Sequence, residues 1–545
     1  MEYNLKTKQE GDHEIISQQN RPAIDCGHVF IGKEAAIEPK GKNIFCKVKE
    51  KNKMNVLLIY PKFPETFWSF THAIAFIGKK AAFPPLGLLT VAALLPGEWS
   101  KRLVDMNVER LKDEDILWAD LVFIGGMAVQ RTSTIQVLER CKSLNATIVA
   151  GGPLFTSEPD DFKDVDYLVL DEAELTLPRF LSDLENDQPK RVYRAEGFCD
   201  LSQTPFPLWN LLNIKRYASM SIQFSRGCPF NCDFCNVTTL FGHRPRLKTT
   251  EQIILELDNI YSLGWRSSIF FVDDNFIGNK RFLKEELLPG LIQWREDKKG
   301  CVFFTESSIN LADDEELMNM MVKAGFDSVF IGIESPDEVS LKECKKNQNI
   351  NRDLLDSVSR INRSGLQVMG GFIVGFDNDK PSTFQRQIDF IQTSGIVTAM
   401  VGMLQAIPGT QLFERLKGQN RLSEQFSGDN VNGTTNIIPK MGMEKLLNGY
   451  QLIMKQIYSP KYYYQRVRTL LKELKAPEVI EPLNLQRFLS IFRSAVRLGI
   501  LGKERFHFWY LIIWTLIRKP KLISTAIALS IYGYHYRKIC ERYIY

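Results

Sequence analysis

From Asn55 onward, short apolar runs closed by glycine, proline or polar turns recur along the chain. The first is Asn55-Val56-Leu57-Leu58-Ile59-Tyr60, and similar runs follow at 102–105, 121–125, 146–150 and 166–170. Between them, segments such as 86–95 and 132–143 space their apolar residues three and four apart, which predicts helices. Strands alternating with helices predict an α/β domain over 54–185, a doubly wound, Rossmann-like parallel sheet. Residues 186–215, with Pro189 and Thr204-Pro205-Phe206-Pro207, read as a connector. A second series follows, with strands at 219–225, 268–272, 302–305, 328–333, 367–374 and 397–404. Helical patterns at 250–263, 280–295, 313–324, 351–364 and 381–394 fall between them, predicting a partial (β/α)6 barrel over 216–410.

From 411 to 545 the pattern becomes helical and aromatic, with Tyr462-Tyr463-Tyr464 ahead of a basic stretch, 466–475. Apolar segments 506–517 and 522–532 flank Arg518-Lys519-Pro520-Lys521, and each is too short to span a bilayer. They either pack against the barrel or meet a membrane at its interface. Residues 1–53 show no sustained periodicity and end in a basic run, so they read as a flexible extension. Met54 could then be an alternative start.

Length and composition narrow the class. A chain of 545 residues with 44% hydrophobic residues and a net charge of +5 is a folded protein of two or three domains. Its positive excess is too diffuse for nucleic acid to be the partner. Ten cysteines are too sparse for a disulfide scaffold, and no signal-peptide core opens the chain, so a reducing cytoplasm is expected. Seven cysteines are scattered, whereas Cys228, Cys232 and Cys235 stand in the spacing C-x3-C-x2-C directly after the strand 219–225. Structural zinc takes four ligands, and only His243 lies near enough to be the fourth. Three thiolates on an iron–sulfur cluster leave one iron open to a substrate or cofactor.

This loop, with Phe234 before its last cysteine, resembles the signature of the radical S-adenosylmethionine (radical SAM) superfamily. The resemblance implies a [4Fe-4S] cluster held by Cys228, Cys232 and Cys235, which chelates S-adenosylmethionine and cleaves it to a 5′-deoxyadenosyl radical. It implies further cofactor contacts at Phe234, at Glu334 in Gly332-Ile333-Glu334, and at Gly370 and Gly371 beside the adenine. Glu334 could instead pair with a neighbouring lysine or arginine. Asp273 or Asp274 stands where many relatives carry Gly-Gly-Glu for the methionine amino group, or either could instead orient substrate, and Asn275 reads as a helix cap.

The domain in front, with Phe83-Pro84-Pro85-Leu86-Gly87-Leu88-Leu89, resembles the cobalamin-binding domain of the cobalamin-dependent radical SAM subfamily. By that resemblance Gly125, Gly126, Gly151 and Gly152 let the nucleotide tail lie close to the backbone, although tight turns alone would use the same glycines. The older cobalamin motif Asp-x-His-x-x-Gly is here Asp105-Met106-Asn107-Val108-Glu109-Arg110. Asp105 and Asn107 are therefore expected beside a cobalamin bound without histidine ligation. The branch resembled contains hopanoid C-2 methylases and bacteriochlorophyll methylases. It implies methyl transfer from methylcobalamin to an unactivated carbon of a large apolar small molecule. A flavodoxin- or ferredoxin-type electron donor and a peripheral contact at the inner face of the membrane belong to the same expectation. The alternatives are a cobalamin-dependent cyclase or oxidoreductase without methyl transfer, and a non-catalytic sensor.

Overall fold

Alternate residues of the first strand enter two different cores. In the computed structural model β1 is Asn55–Tyr60; Val56 and Leu58 join a large core that continues into the barrel, while Leu57 and Ile59 join a separate one. A strand covered on both faces must be apolar throughout, which is the mark of a parallel sheet between helical layers. The described residues are 53–423, 426–429, 433–476 and 485–544. The extension read over 1–53, with Cys26 and Cys46, lies outside them but for Lys53.

The first sheet adds β2 (Ser100–Asp105), β3 (Leu121–Gly125), β4 (Ile148–Gly151), β5 (Tyr167–Val169) and β6 (Val192–Tyr193), all parallel, in the order β2-β1-β3-β4-β5-β6. Helices α1 (Leu86–Leu94), α2 (Asp113–Trp118), α3 (Arg131–Ser143) and α4 (Ala173–Glu185) connect its strands. The strand β6 corrects the connector reading. Leu168 and Leu170 donate their N–H groups to the carbonyls of Arg191 and Tyr193, so part of 186–215 completes this sheet.

The second sheet is β7 (Met220–Ile222), β10 (Ser268–Phe271), β11 (Val302–Ser307), β12 (Phe326–Glu334), β13 (Gln367–Val374) and β14 (Ala399–Met403). It is parallel throughout in the order β14-β13-β12-β11-β10-β7, with β7 and β14 unpaired to each other, which is the partial barrel. A small antiparallel pair, β8 (Ser225–Arg226) and β9 (Arg246–Leu247), stands after β7. The barrel helices are α5 (Thr250–Ser262), α6 (Leu288–Asp297), α7 (Glu315–Ala324), α8 (Leu354–Ser364) and α9 (Pro381–Ser394). The helix read over 280–295 is interrupted by a wide turn, Leu283–Leu287, before α6. Pro289 has no N–H to give back to that turn, so the regular ladder cannot run through.

Outward positions of the barrel strands, such as Ile269, Phe303, Val329 and Val368, are fully packed under the helices. The inward ones alternate with them and stay half-exposed: Phe270, Phe304 and Glu306, Phe330, Met369 and Gly371. The lumen is therefore open to solvent where the wall is closed.

Beyond the barrel come α10 (Gln411–Gly418), α11 (Met443–Ile457), α12 (Pro460–Glu473), α13 (Leu485–Gly499), α14 (Arg505–Arg518) and α15 (Ile523–Tyr543). The basic stretch 466–475 is not wholly outward: Arg466 is buried and donates to the carbonyls of Ile457 and Val397. Among the described residues no helix is long and apolar enough to cross a membrane. Arg226 of β8 pairs with Glu172 at 2.9 Å and Glu174 at 2.7 Å, and Arg246 of β9 pairs with Glu172 at 2.9 Å. These buried pairs lock the start of α4 to the hairpin from which the cysteine loop springs.

Candidate functional site

Strand β7 stops three residues before β8 because a carboxylate takes over its pairing. Asp273, just past β10, accepts hydrogen bonds from the N–H of Phe224 at 3.1 Å and from the N–H and hydroxyl of Ser225. The chain then turns at Gly227, whose φ is +98° and whose absent Cβ would meet the carbonyl oxygens of Arg244 and Gly242 at 2.9 Å. No other residue type fits both that conformation and that contact. The loop closes on itself where the N–H of Cys228 donates to the carbonyl of Gly242, and is pinned from outside at Asp233. There the N–H donates to the carbonyl of Cys344, and the carbonyl accepts from Leu412 at the start of α10.

The three thiols are half-buried and free of disulfides. Burial pushes Cys235 up to about 12 and raises Cys228 and Cys232 as well; the charge of Lys346 opposes the rise at all three. Such thiols stay protonated until a metal draws off the proton. Among the described residues no three His, Cys, Asp or Glu side chains are close enough to share one metal ion. A tetrahedral zinc would need its sulfurs about 3.8 Å apart. In an iron–sulfur cluster, by contrast, each thiolate meets a different iron. Cys232, Cys235 and His243 also line a cavity of about 200 Å³ with Thr238, Thr239 and Thr410.

Facing the loop across the barrel mouth is a charged group the sequence reading found only in part. Glu334 ends β12 in the left-handed region, at φ +61°, where a non-glycine residue is strained. It is buried and pairs with Lys346 at 2.7 Å. Gly332 makes that pair fit, since a Cβ there would lie 2.3 Å from the Glu334 carboxylate and 2.7 Å from Lys346 Nζ. The Gly-Ile-Glu motif is thus a seat for an ion pair. Gln348 reaches Cys232 Sγ at 3.8 Å. Burial holds Asp274 at about 6, with Arg226 pulling it down. Glu306, inward on β11, is pushed up to about 8 by burial and then by Asp274, with Lys346 opposing.

The lumen beneath these groups is aromatic. Phe270 and Phe304 stack with ring centroids 4.7 Å apart. Phe83 comes in from the N-terminal domain to within 5.3 Å of Phe270, and Trp68 reaches Phe330 at 5.2 Å.

Several expected contacts lie elsewhere. Asp273 spends its carboxylate on Phe224 and Ser225, which leaves Asp274 as the one facing the mouth. Gly370 points outward, where a Cβ would strike Phe372 and Ile396, and only Gly371 faces the lumen, against Phe330. Phe234 packs its ring on an apolar cluster that includes Cys344, Phe376 and Leu412, so it anchors the loop. Asn275 caps no helix; its Oδ1 accepts from Ser308 N at 3.1 Å, tying β10 to β11.

At the N-terminal sheet the residues expected beside cobalamin make contacts within the protein. Asp105 is buried and accepts from Asn107 N at 2.9 Å, Asn107 Nδ2 at 2.7 Å and Tyr217 OH at 2.9 Å. The Asn107 Oδ1 accepts from Phe63 N at 2.8 Å. Both side chains hold the turn after β2. The absent side chains at Gly125, Gly126 and Gly151 are covered by Leu88, Thr134 and the Val169 carbonyl, and Gly152, at φ +93°, packs on the Gly126 backbone. Packing accounts for these glycines without a bound nucleotide. What does suit a ligand is the topology, because the strand order reverses between β1 and β3 and leaves a crevice at their C-terminal ends.

Residues 222–391 match the model of the Radical SAM superfamily, and residues 410–544 match a domain of unknown function, DUF4070. An uncharacterized methyltransferase of Synechocystis sp. is 42% identical over 502 residues, 90% of this chain and 93% of that protein. The hopanoid C-2 methylase of Rhodopseudomonas palustris is 34% identical over 478 residues, 85% of this chain and 89% of that one. The chain belongs to the radical SAM superfamily. It is similar in fold to the cobalamin-dependent S-adenosylmethionine radical enzyme OxsB, solved with aqua-cobalamin and S-adenosylmethionine bound. That likeness has a TM-score of 0.59 at 15% identity, over 90% of this chain and 84% of that one. Around the cysteine loop of this radical SAM enzyme stand Lys346, Glu306 and Gln348, which the sequence reading passed over. Glu306 carried the cue already used for Glu334, an acid at the C-terminal end of an apolar strand. Lys346 sits in the polar run Cys344-Lys345-Lys346-Asn347, which has no periodicity to single it out.

Proposed function

We propose that this protein is a cobalamin-dependent radical SAM methyltransferase acting on an unactivated carbon of a large apolar substrate, hopanoid- or tetrapyrrole-like. The observation that carries the substrate class is the lumen: half-exposed aromatic rings lie directly beneath the carboxylates and thiols of the barrel mouth. Flat apolar molecules are held by such surfaces, with a few polar groups fixing their orientation. Cys228, Cys232 and Cys235 hold the [4Fe-4S] cluster. When bound, the cluster supplies the electron that cleaves S-adenosylmethionine, and cobalamin in the crevice between β1 and β3 supplies the methyl group. Asp274 accepts a hydrogen bond from the methionine amino group. Lys346 keeps a positive charge beside the thiols, anchored by Glu334. The rings of Phe83, Phe270 and Phe304 exclude water from the floor of the lumen. A flavodoxin- or ferredoxin-type protein delivers the electron, and the enzyme works at the inner face of the membrane.

The test is anaerobic reconstitution with S-adenosylmethionine, cobalamin and a reductant. We expect 5′-deoxyadenosine to form, and Cys232→Ala to abolish it with at least a thousandfold loss on the scale of essential groups. Absence of cleavage in the reconstituted wild type would leave a sensor. Comparison of lipids and tetrapyrroles from a deletion strain then decides the reaction, since a product lacking one methyl group supports transfer and an unchanged methyl count supports a cyclase or oxidoreductase.

A further inference from the structure

Helix α14 is apolar on all sides, yet only one side of it is packed. Phe508, Leu511, Ile512 and Thr515 are buried where it meets α12 and α15. Phe506, Trp509, Tyr510, Ile513, Leu516 and Ile517 follow one another at steps of one and three residues and form a single stripe on the opposite side. Phe506 is 76% exposed and Ile517 75%. Leu501, in the link from α13, is 75% exposed, and Phe488 and Phe492 continue the exposed apolar surface on α13 itself. Scattered apolar side chains on a surface are ordinary, but a continuous stripe of this kind marks a contact. A helix apolar all round belongs in a core or in lipid.

The charges around the stripe are of one sign. Residues 488–523 contain seven lysines and arginines and one carboxylate, Glu504. Glu504 is buried and paired with Arg537, so it does not offset them. Arg505 and Arg518 are exposed at the two ends of α14, and Lys521 is exposed just beyond. A second copy of the chain is a poor occupant, because a two-fold contact would set this positive surface against itself.

We infer that this face docks on an anionic lipid bilayer, with α14 lying in the interface and Arg505, Arg518 and Lys521 at the level of the phosphates. Trp509 and Tyr510 suit that depth, where an apolar ring meets polar headgroups. The surface places the membrane contact of the proposed function at a defined helix, but it rests on exposure and charge and is tested without turnover.

The experiment is sedimentation of the full chain with vesicles of phosphatidylcholine alone or mixed with phosphatidylglycerol. Binding to the mixed vesicles is expected, weaker in high salt, as electrostatic attraction requires. The double variant Ile513→Glu/Ile517→Glu should lose about a hundredfold in partitioning, since two large apolar side chains no longer enter lipid. It should keep the wild-type unfolding temperature, because both positions are exposed. Arg518→Glu/Lys521→Glu leaves the stripe intact and should lose about tenfold of the preference for the anionic vesicles; it decides the matter if the first variant does not fold. Wild-type protein that stays in the supernatant with both vesicles overturns the inference. So does a wild-type dimer that Ile513→Glu/Ile517→Glu splits in sedimentation velocity, which assigns the stripe to a second copy. Failure of the methyltransferase reading looks different: vesicle binding persists while S-adenosylmethionine is not cleaved.

Discussion

The C-terminal edges of the two sheets carry the same residue types and use them in opposite ways. At the first sheet, Asp105, Asn107 and the glycine pairs follow strand ends, and their polar atoms and gaps are engaged by contacts within the protein. At the barrel mouth, Asp274 and Glu306 face Lys346 across an open lumen, raised in pKa by burial, and no side-chain hydrogen bond relieves either. Glu334 is held there in a strained backbone conformation. Folding alone gives no reason to draw such carboxyls partly out of water, since groups so placed are ordinarily paired. Groups left costly are the mark of a site built for something else. The comparison teaches that an acid or a glycine at a strand end is a cue to position only. Whether the fold has already used its atoms decides the role.

Within the barrel mouth itself the neighbours Asp273 and Asp274 put this distinction to its strongest test. Asp273→Ala strands two buried N–H groups and a hydroxyl, so we expect a loss of about 3–5 kcal/mol of stability in urea unfolding. Asp274→Ala should cost less than about 1 kcal/mol, and should instead weaken S-adenosylmethionine binding by roughly tenfold, as loss of one charge-assisted hydrogen bond does. If the two variants proved equally stable, or if Asp273→Ala were the one to lose cofactor affinity alone, the division between them would fail.

Glu306 extends the comparison to pH. Its carboxyl titrates near 8 in the folded chain against 4.5 when unperturbed. Between those values the folded state holds the proton more tightly than the unfolded one, so stability falls as pH rises through the window. Glu306→Gln has no proton to lose and should flatten this slope, gaining about 2 kcal/mol over the wild type at pH 8.5 and little at pH 5. Denaturant unfolding of cofactor-free protein at the two values measures it. Equal gains at both would mean that the carboxylate is already relieved by a partner.

Much of this could be read along the chain because periodicity reports burial. The alternation of Ser328–Ile333 is legible as one packed and one lumen-facing register, and the cysteine spacing is legible because three thiols rarely stand so close. Other features depend on contacts distant in sequence. Strand β7 ends early because Asp273, forty-nine residues after Phe224, takes its N–H groups. Lys346 becomes part of the site only because Gly332, fourteen residues earlier, leaves room for it. The stretch 192–193 pairs as a sixth strand although its two residues are too few to show a period. Nothing local distinguishes Asn107 as a turn clamp from Asn107 as a ligand, since the partners that settle it, Phe63 and Pro61, belong to another loop.

Asn107 also supplies the smallest and most direct test of the first sheet. Its Nδ2 donates to Asp105 and to the carbonyl of Pro61, and its Oδ1 accepts from Phe63, so Asn107→Ala removes three hydrogen bonds around a buried carboxylate. The exposed rim can recover water for some of them, and the expected loss is about 1 kcal/mol. The visible spectrum of cobalamin bound to the reconstituted enzyme should not move, because the Asn107 amide is already held by Asp105, Pro61 and Phe63. A spectral shift in Asn107→Ala would put the side chain in the first sheet on the same footing as Asp274 in the barrel, and the contrast between the two edges would dissolve. An unshifted spectrum with the loss in stability keeps Asn107 where its hydrogen bonds place it, as a brace between the loops that follow β1 and β2.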